Sequence, residues 1–363
     1  MRLTDILDHL DQIAPPQYAE AWDNVGLLVG DHEQAITKAM LCIDYTDDVA
    51  EEAKRESCDF VIAYHPPIFK PMARITASSL IYDAIRRGVA IYSPHTALDV
   101  ADGGTNDVLA DLIGLVDRQP LKLPDAKATD ATLVTFVPKE HVDAVARALF
   151  QAGAGRIGDY SSCSFRSEGT GTFFGKSGAN PSVGQAGKLE HVDEIKLETV
   201  VPIRRLATVV AALRAAHPYE EPAMNVVQLI APPVTRGLGR VGRLDQPVYR
   251  DVLLGRIKQA MGIDHVLVAG PTTGPVNSAA VCAGSCGDLL DEAIACKVDL
   301  YLTGEMRHHD ALKAARAGVT VVCVLHSNSE RITLSRLRDR LAQALPAVAW
   351  GLSQADRDPF QIL

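Results

Sequence analysis

Residues 61–69 read VIAYHPPIF. Val61, Ile62 and Ala63 have the apolar character of a buried strand. Pro66 and Pro67 end the ladder, because proline fixes φ and has no backbone donor. The stretch therefore delivers His65 to the end of a buried strand and holds it in a rigid turn.

Working outward, the first third of the chain alternates strand and helix. Strands are expected at 39–45, 60–65 and 89–94, and helices at 47–58, 79–87 and 105–112. Apolar strands separated by helices of this length imply a parallel sheet covered on both faces. The last third repeats the plan, with strands at 278–283, 299–303 and 320–325 and helices at 289–296, 309–317 and 329–345. The two halves are expected to face each other or to continue one sheet.

The middle differs. Proline-marked connectors at 122–129 and 231–236 flank strands at 132–137, 194–201 and 225–230, with helices at 140–152 and 203–216. This βαβ…βαβ order predicts a ferredoxin-like α+β domain inserted into the parent fold. Insertion at a surface loop is physically easy, since the loop ends lie close together. The reading divides the chain into a parent α/β domain, first half (1–125), an insert (126–232) and the parent's second half (233–363). The fold class is α/β: a two-half α/β/α parent with mixed or parallel sheets.

At 363 residues the chain is too long for one ordinary core. With 47% hydrophobic and 22% charged residues it has the balance of a globular protein. A net charge of -9 argues against broad nucleic-acid binding, which relies on basic surface. Asp5, Asp8 and Asp11 interrupt the start where a signal peptide needs an apolar run. No run reaches the roughly 18 apolar residues of a membrane span. Seven scattered cysteines read as small buried hydrophobes in a reducing compartment; Cys282 and Cys286 come closest to a pair. A cytoplasmic protein is expected.

Polar residues gather at the ends of four strands. His65 ends one; SPHTALDVADGGTND (93–107) follows another; TGEMRHHDAL (303–312) and LHSNSER (325–331) follow two more. Open α/β sheets place their ligands at such carboxyl ends. Five of the eleven histidines fall in these segments. A structural reading needs each imidazole to satisfy a separate buried partner. Histidine with Asp and Glu, and no cysteine, points instead to a divalent-metal site. With the last helix beginning near Asn328, His326 precedes it, Glu330 lies in its first turn, and both point to one centre. Asp99 is expected on a glycine-rich loop. Glu305, His308 and His309 suit acid/base or supporting duty.

These phrases resemble the long forms of the NIF-three-like family, often labelled GTP cyclohydrolase 1 type 2 homologues. WDNVGLLVG (22–30), HPPIF (65–69), the segment His95–Asp107, TGEMRHHD (303–310) and HSNSE (326–330) carry the resemblance in order along nearly the whole chain. GAGRIGDYSSCSF (153–165), GTGTF and HPYEEPA match phrases of the family's insert, which is similar to PII and CutA proteins. The resemblance implies a di-metal site held by a His-His pair, Asp99, His326 and Glu330, and a toroidal homohexamer. His65 matches the second histidine of the pair, but Tyr64 stands at the first. A phenol is a poor divalent-metal ligand at neutral pH, so the expectation is one or two ions per chain, of zinc, manganese, iron, cobalt or nickel. Tyr64 would alternate away from His65 in a regular strand and need a local twist to reach the same centre.

Other motifs have plainer readings. Asp23 and Asn24 shape a turn, or support the site from a loop. Residues 153–175 form a flexible hairpin, or cradle an anion with Arg156. HPYEEPA is a rigid turn, with a second metal site at His217, Glu220 and Glu221 as its sharper alternative. The leading function is a metal-dependent hydrolase of a nucleotide-like or phosphorylated small molecule. Its competitors are a metal carrier or sensor whose insert binds a small effector, and a ring-shaped interaction scaffold.

Overall fold

Alternate residues of the strands around 39–43 and 60–64 enter two different cores, and this builds the first sheet. The computed structural model describes residues 1–123, 130–229 and 236–362. In chain order they form α1 (Leu3–Ile13), β1 (Gly26–Val29), β2 (Lys38–Cys42), α2 (Asp47–Arg55), β3 (Phe60–Ala63), α3 (Leu80–Arg87) and β4 (Ala90–Ser93). Then come α4 (His95–Val100), α5 (Thr105–Leu112), β5 (Leu115–Lys122), β6 (Asp130–Pro138), α6 (Val142–Gln151), β7 (Phe165–Phe174), β8 (Leu189–Pro202), α7 (Leu206–Ala216) and β9 (Met224–Gln228). The last third holds β10 (Leu238–Tyr249), α8 (Arg250–Met261), β11 (Leu267–Ala269), β12 (Pro275–Ser285), α9 (Leu290–Ala295), β13 (Leu300–Glu305), α10 (His308–Arg316), β14 (Thr320–Cys323), α11 (His326–Ala344) and β15 (Ala349–Leu352).

The chain divides into two compact units, Met1–Pro124 with Thr235–Leu363, and Asp125–Val234. The boundaries expected at 125/126 and 232/233, and most of the two connectors, lie outside the described residues.

The first unit has two sheets, ordered β1-β4-β3-β2-β15 and β11-β14-β13-β12-β10-β5. In the first, Leu41, Ile43, Phe60, Ile62 and Tyr64 pack with Leu3 and Ile6 of α1 and Leu337 of α11. The alternate residues Met40, Cys42, Val61 and Ala63 pack with Val49 of α2 and Ile81 of α3. Period-2 alternation with both faces apolar requires helices on both sides. The second sheet is covered likewise, by α5 and α8 on one face and by α9 and α10 on the other.

The sheets are mixed, and the halves do not keep to themselves. β15, from the far end of the chain, pairs parallel with β2. β5, from the first half, pairs antiparallel with β10. The expectation of two halves that simply face each other or continue one sheet is corrected by this exchange. Two element readings change as well. His95–Val100 is a helix, so Asp99 lies one turn after His95 and not on a loop. α11 begins at His326, three residues earlier than expected, because Leu325 takes a left-handed φ of 71° and turns the chain into the helix.

The second unit runs β-α-β-β-α-β, with sheet order β7-β8-β6-β9 and antiparallel pairing throughout. Leu133, Val137, Leu197 and Val201 pack beneath Val145 and Leu149 of α6 and Val209 and Leu213 of α7. Residues 165–174, read as part of a flexible hairpin, are a regular strand paired with β8 along its whole length. Among the described residues no helix is long and apolar enough to cross a membrane.

Candidate metal centre

Two parallel strand pairs set the site. β2 and β3 are in register with Cys42 opposite Ala63, so two residues further on Asp44 stands beside His65. The Asp44 carboxylate bonds His65 Nδ1 at 2.9 Å. β13 and β14 end likewise: Glu305 Oε1 lies 2.9 Å from Nδ1 of His326. In both cases the carboxylate holds Nδ1 and turns Nε2 outward, the arrangement that orients a metal-binding imidazole.

Both Nε2 atoms meet at Glu330. His65 Nε2 is 3.1 Å from Glu330 Oε2, and His326 Nε2 is 3.3 Å from Oε1. His326 and Glu330 are four apart on α11, so they share a helix face. Glu330 is only 3% exposed. Its Oε2 is buried without a well-aligned hydrogen bond, despite the nearby imidazole. A buried carboxylate oxygen left in that condition is expensive unless something cationic completes it. One ligand-capable atom from each of the three residues lies within 4.8 Å of the others. Two imidazole nitrogens and a carboxylate are a donor set suited to borderline divalent ions. His65, His326 and Glu330 can therefore hold a metal ion.

The electrostatics agree. Burial disfavours charge on His65, but Asp44 and Glu330 overcome it and push the imidazole up to about 10. Glu330, against burial, pushes His326 up to about 9. Burial would raise Glu330, yet the two imidazoles hold it below the usual carboxylate range. The centre favours positive charge. Gly284 allows this packing: at φ +71° a Cβ there would sit 2.9 Å from Glu330 Oε1 and 3.4 Å from His326 Nε2.

Asp99 and Tyr64 lie beside this set. The buried Tyr64 ring stays in the core with Phe60 and Ile62, on the alternation its strand dictates. No twist is needed for its hydroxyl to reach Asp99, to which it donates, and it also bonds Thr105 Oγ1 at 2.8 Å. Burial, then Asp99 and Glu330, hold the phenol well above its ordinary pKa. Tyr64 is thus a donor to a carboxylate, not a phenolate. Burial and the charge of Glu330 push Asp99 up to about 6.

Asp44 and Asn106 escaped the sequence reading, whereas Asp23 takes the second of its two expected roles and supports the site: it bonds His95 Nδ1 at 2.8 Å and the Thr96 backbone and hydroxyl. That places the His95 ring 5.3 Å from the His65 ring. Asn106, fully buried, bonds the carbonyl of Asp99 and the backbone N–H of Ala283, tying α4 to β12. The signal for Asp44 was available, since it extends the register that His65 continues; that for Asn106 was not. Among the expected acid/base residues, Glu305 is committed to His326. His308 and His309 are exposed at the start of α10, their rings 5.4 Å apart, and no described hydrogen bond or ion pair links them to the cluster. Cys282 and Cys286 do come together, with their sulfurs 2.6 Å apart.

Comparison with known proteins agrees with this architecture. The Duf34/NIF3 (NGG1p interacting factor 3) family model matches residues 1–359. A Mycobacterium tuberculosis protein named GTP cyclohydrolase 1 type 2 homolog is 38% identical over 338 residues, covering 91% of this chain and 88% of that one. A Bacillus cereus protein related to NIF3 superposes with a TM-score of 0.67 at 32% identity, covering 100% of this chain and 99% of the other. Staphylococcus aureus protein SA1388 gives a TM-score of 0.72 at 26% identity, with the same coverage. The chain belongs to the Duf34/NIF3 family.

Proposed function

We propose that this protein is a divalent-metal-dependent hydrolase of a nucleotide-like or phosphorylated small molecule, with His65, His326, Glu330 and Asp99 as the metal-holding residues. The observation that carries the reading is the meeting of two carboxylate-oriented Nε2 atoms at one buried Glu330. An ion bound there supplies the Lewis acidity that makes water a nucleophile near neutral pH. A cavity of about 880 Å³ opens on His65 and Asp44 and is also lined by Asp48, Glu51, Arg55 and Arg357. Within this mixed-charge lining the two guanidinium groups are the ones suited to a phosphate-bearing substrate. Glu305 keeps the His326 imidazole aimed at the centre, and Glu305, His308 and His309 are the groups to which this reading gives acid/base duty. The names carried by relatives, GTP cyclohydrolase 1 type 2 homolog among them, favour a nucleotide.

The same reading makes the second unit a PII/CutA-like insert, supported by its β-α-β-β-α-β order, and the assembly a homohexamer. Light scattering should then give about six times the 39.0 kDa chain mass.

The test is turnover by protein loaded with zinc, manganese, iron, cobalt or nickel, across nucleoside phosphates and other phosphorylated metabolites. Hydrolysis is expected that disappears with Glu330→Ala and whose KM rises with Arg357→Ala. Full metal loading with no turnover on any member of the panel would sink the hydrolase and leave a metal carrier or sensor.

A further inference from the structure

The second unit holds a cavity of about 650 Å³ on the face of its sheet not covered by α6 and α7. Two motifs that the metal centre leaves unused converge on it. One is the glycine-rich strand β7; the other is HPYEEPA, which contributes Tyr219, Glu220 and Glu221. Phe136 and Phe173 supply apolar wall.

At its floor lies Glu194, a carboxylate only 8% exposed. Gly171 of β7 makes room for it: a Cβ at that position would sit 2.1 Å from Glu194 Oε2. Tyr219 Oη is also buried and makes no well-aligned hydrogen bond. Burial, then the carboxylate of Glu194, keep its proton on. Lys196 lines the same cavity, but its ammonium is taken by Glu198 at 2.8 Å. Arg156, the cation expected for an anion cradle in the glycine-rich stretch, does not line this cavity, so its lining residues offer an anion only the paired Lys196. A metal at HPYEEPA is disfavoured too, because His217 uses Nε2 on the Phe136 carbonyl and Nδ1 on the Tyr219 N–H. What remains is a deep carboxylate in an aromatic, acidic pocket, which is complementary to a desolvated positive charge on an apolar body.

We propose that this cavity binds a small organic cation, an amine or amidinium on a flat apolar body, with its charged end on Glu194 and Tyr219 and its body against Phe136 and Phe173. The site is separate from the metal centre and does not depend on its chemistry.

The probe is benzamidinium, titrated calorimetrically into the full-length protein, with neutral benzamide and anionic benzoate as matched controls. Saturable binding of one benzamidinium per chain is expected, with benzamide weaker by about tenfold or more and benzoate silent. Glu194→Gln should weaken benzamidinium by about tenfold or more and Tyr219→Phe by several fold, with metal content unchanged in both. Should Glu194→Gln fail to fold, the Tyr219→Phe comparison and the three-probe series still decide. Absence of saturable binding, equal affinity for benzamide, preference for benzoate, or displacement by manganese would each overturn the assignment.

Discussion

Tyr64 and His65 are neighbours whose side chains do different work, and strand alternation is the reason. His65 faces Glu330; Tyr64 runs through the core and donates to Asp99. With its phenol held well above the ordinary pKa, Tyr64 adds no anionic ligand. Chain purified without chelator or histidine tag should therefore carry one divalent ion, and Tyr64→His should raise this to two by elemental analysis. Two ions in the wild type would show that other groups complete a second site. A second residue-scale effect belongs to His217, which is 7% exposed and whose burial lowers its pKa below 6.5. The folded chain keeps this imidazole neutral, while the unfolded chain protonates it below about pH 6.5. Its contribution is thus complete above that pH and is lost as pH falls toward the folded pKa. His217→Asn should flatten the acid limb of melting temperature against pH below about 6.5. An unchanged slope would assign the limb to other groups. At this scale the sequence showed His65, His326 and Glu330 as a group but left Asp23 between shaping a turn and supporting the site, because a loop carboxylate has no periodicity to reveal its partner.

Elements are joined here by a few buried polar side chains more than by loop chemistry. Arg240, 5% exposed on β10, bonds both oxygens of Asp107 at 2.7 and 3.1 Å. It also donates to the carbonyls of Gly237, Gly239, Val100 and Ala101. One guanidinium thus fixes the end of α4, the helix that carries Asp99, and the first turn of α5 to the strand that follows the second unit. Arg240→Met should cost about 3–5 kcal/mol in urea unfolding, because Asp107 and several carbonyls lose their partner. A loss below about 1 kcal/mol would mean that water replaces the guanidinium without penalty. The apolar strands and amphipathic helices were legible from periodicity. The start of α11 was not, since Leu325 reaches a left-handed φ that a leucine does not advertise.

For the molecule as a whole, every ligand atom of the metal cluster comes from the first unit. Replacing residues 125–234 with a short Gly/Ser linker should therefore leave the metal content per chain unchanged, while abolishing benzamidinium binding. Loss of metal in a folded deletion variant would show that the second unit supports the centre. The sequence by itself determined the composition of the cores, the alternation that puts helices on both faces of the sheets, and the histidines and acids at strand ends, because these follow from side-chain period and proline chemistry. Only the tertiary structure decided that β15 joins the first sheet and β5 the second, since strand pairing between distant segments depends on which edges meet. It also decided that Glu330 lies between two imidazoles and that Glu194 lies under Gly171. Such neighbours are set by packing in three dimensions, which no local pattern encodes.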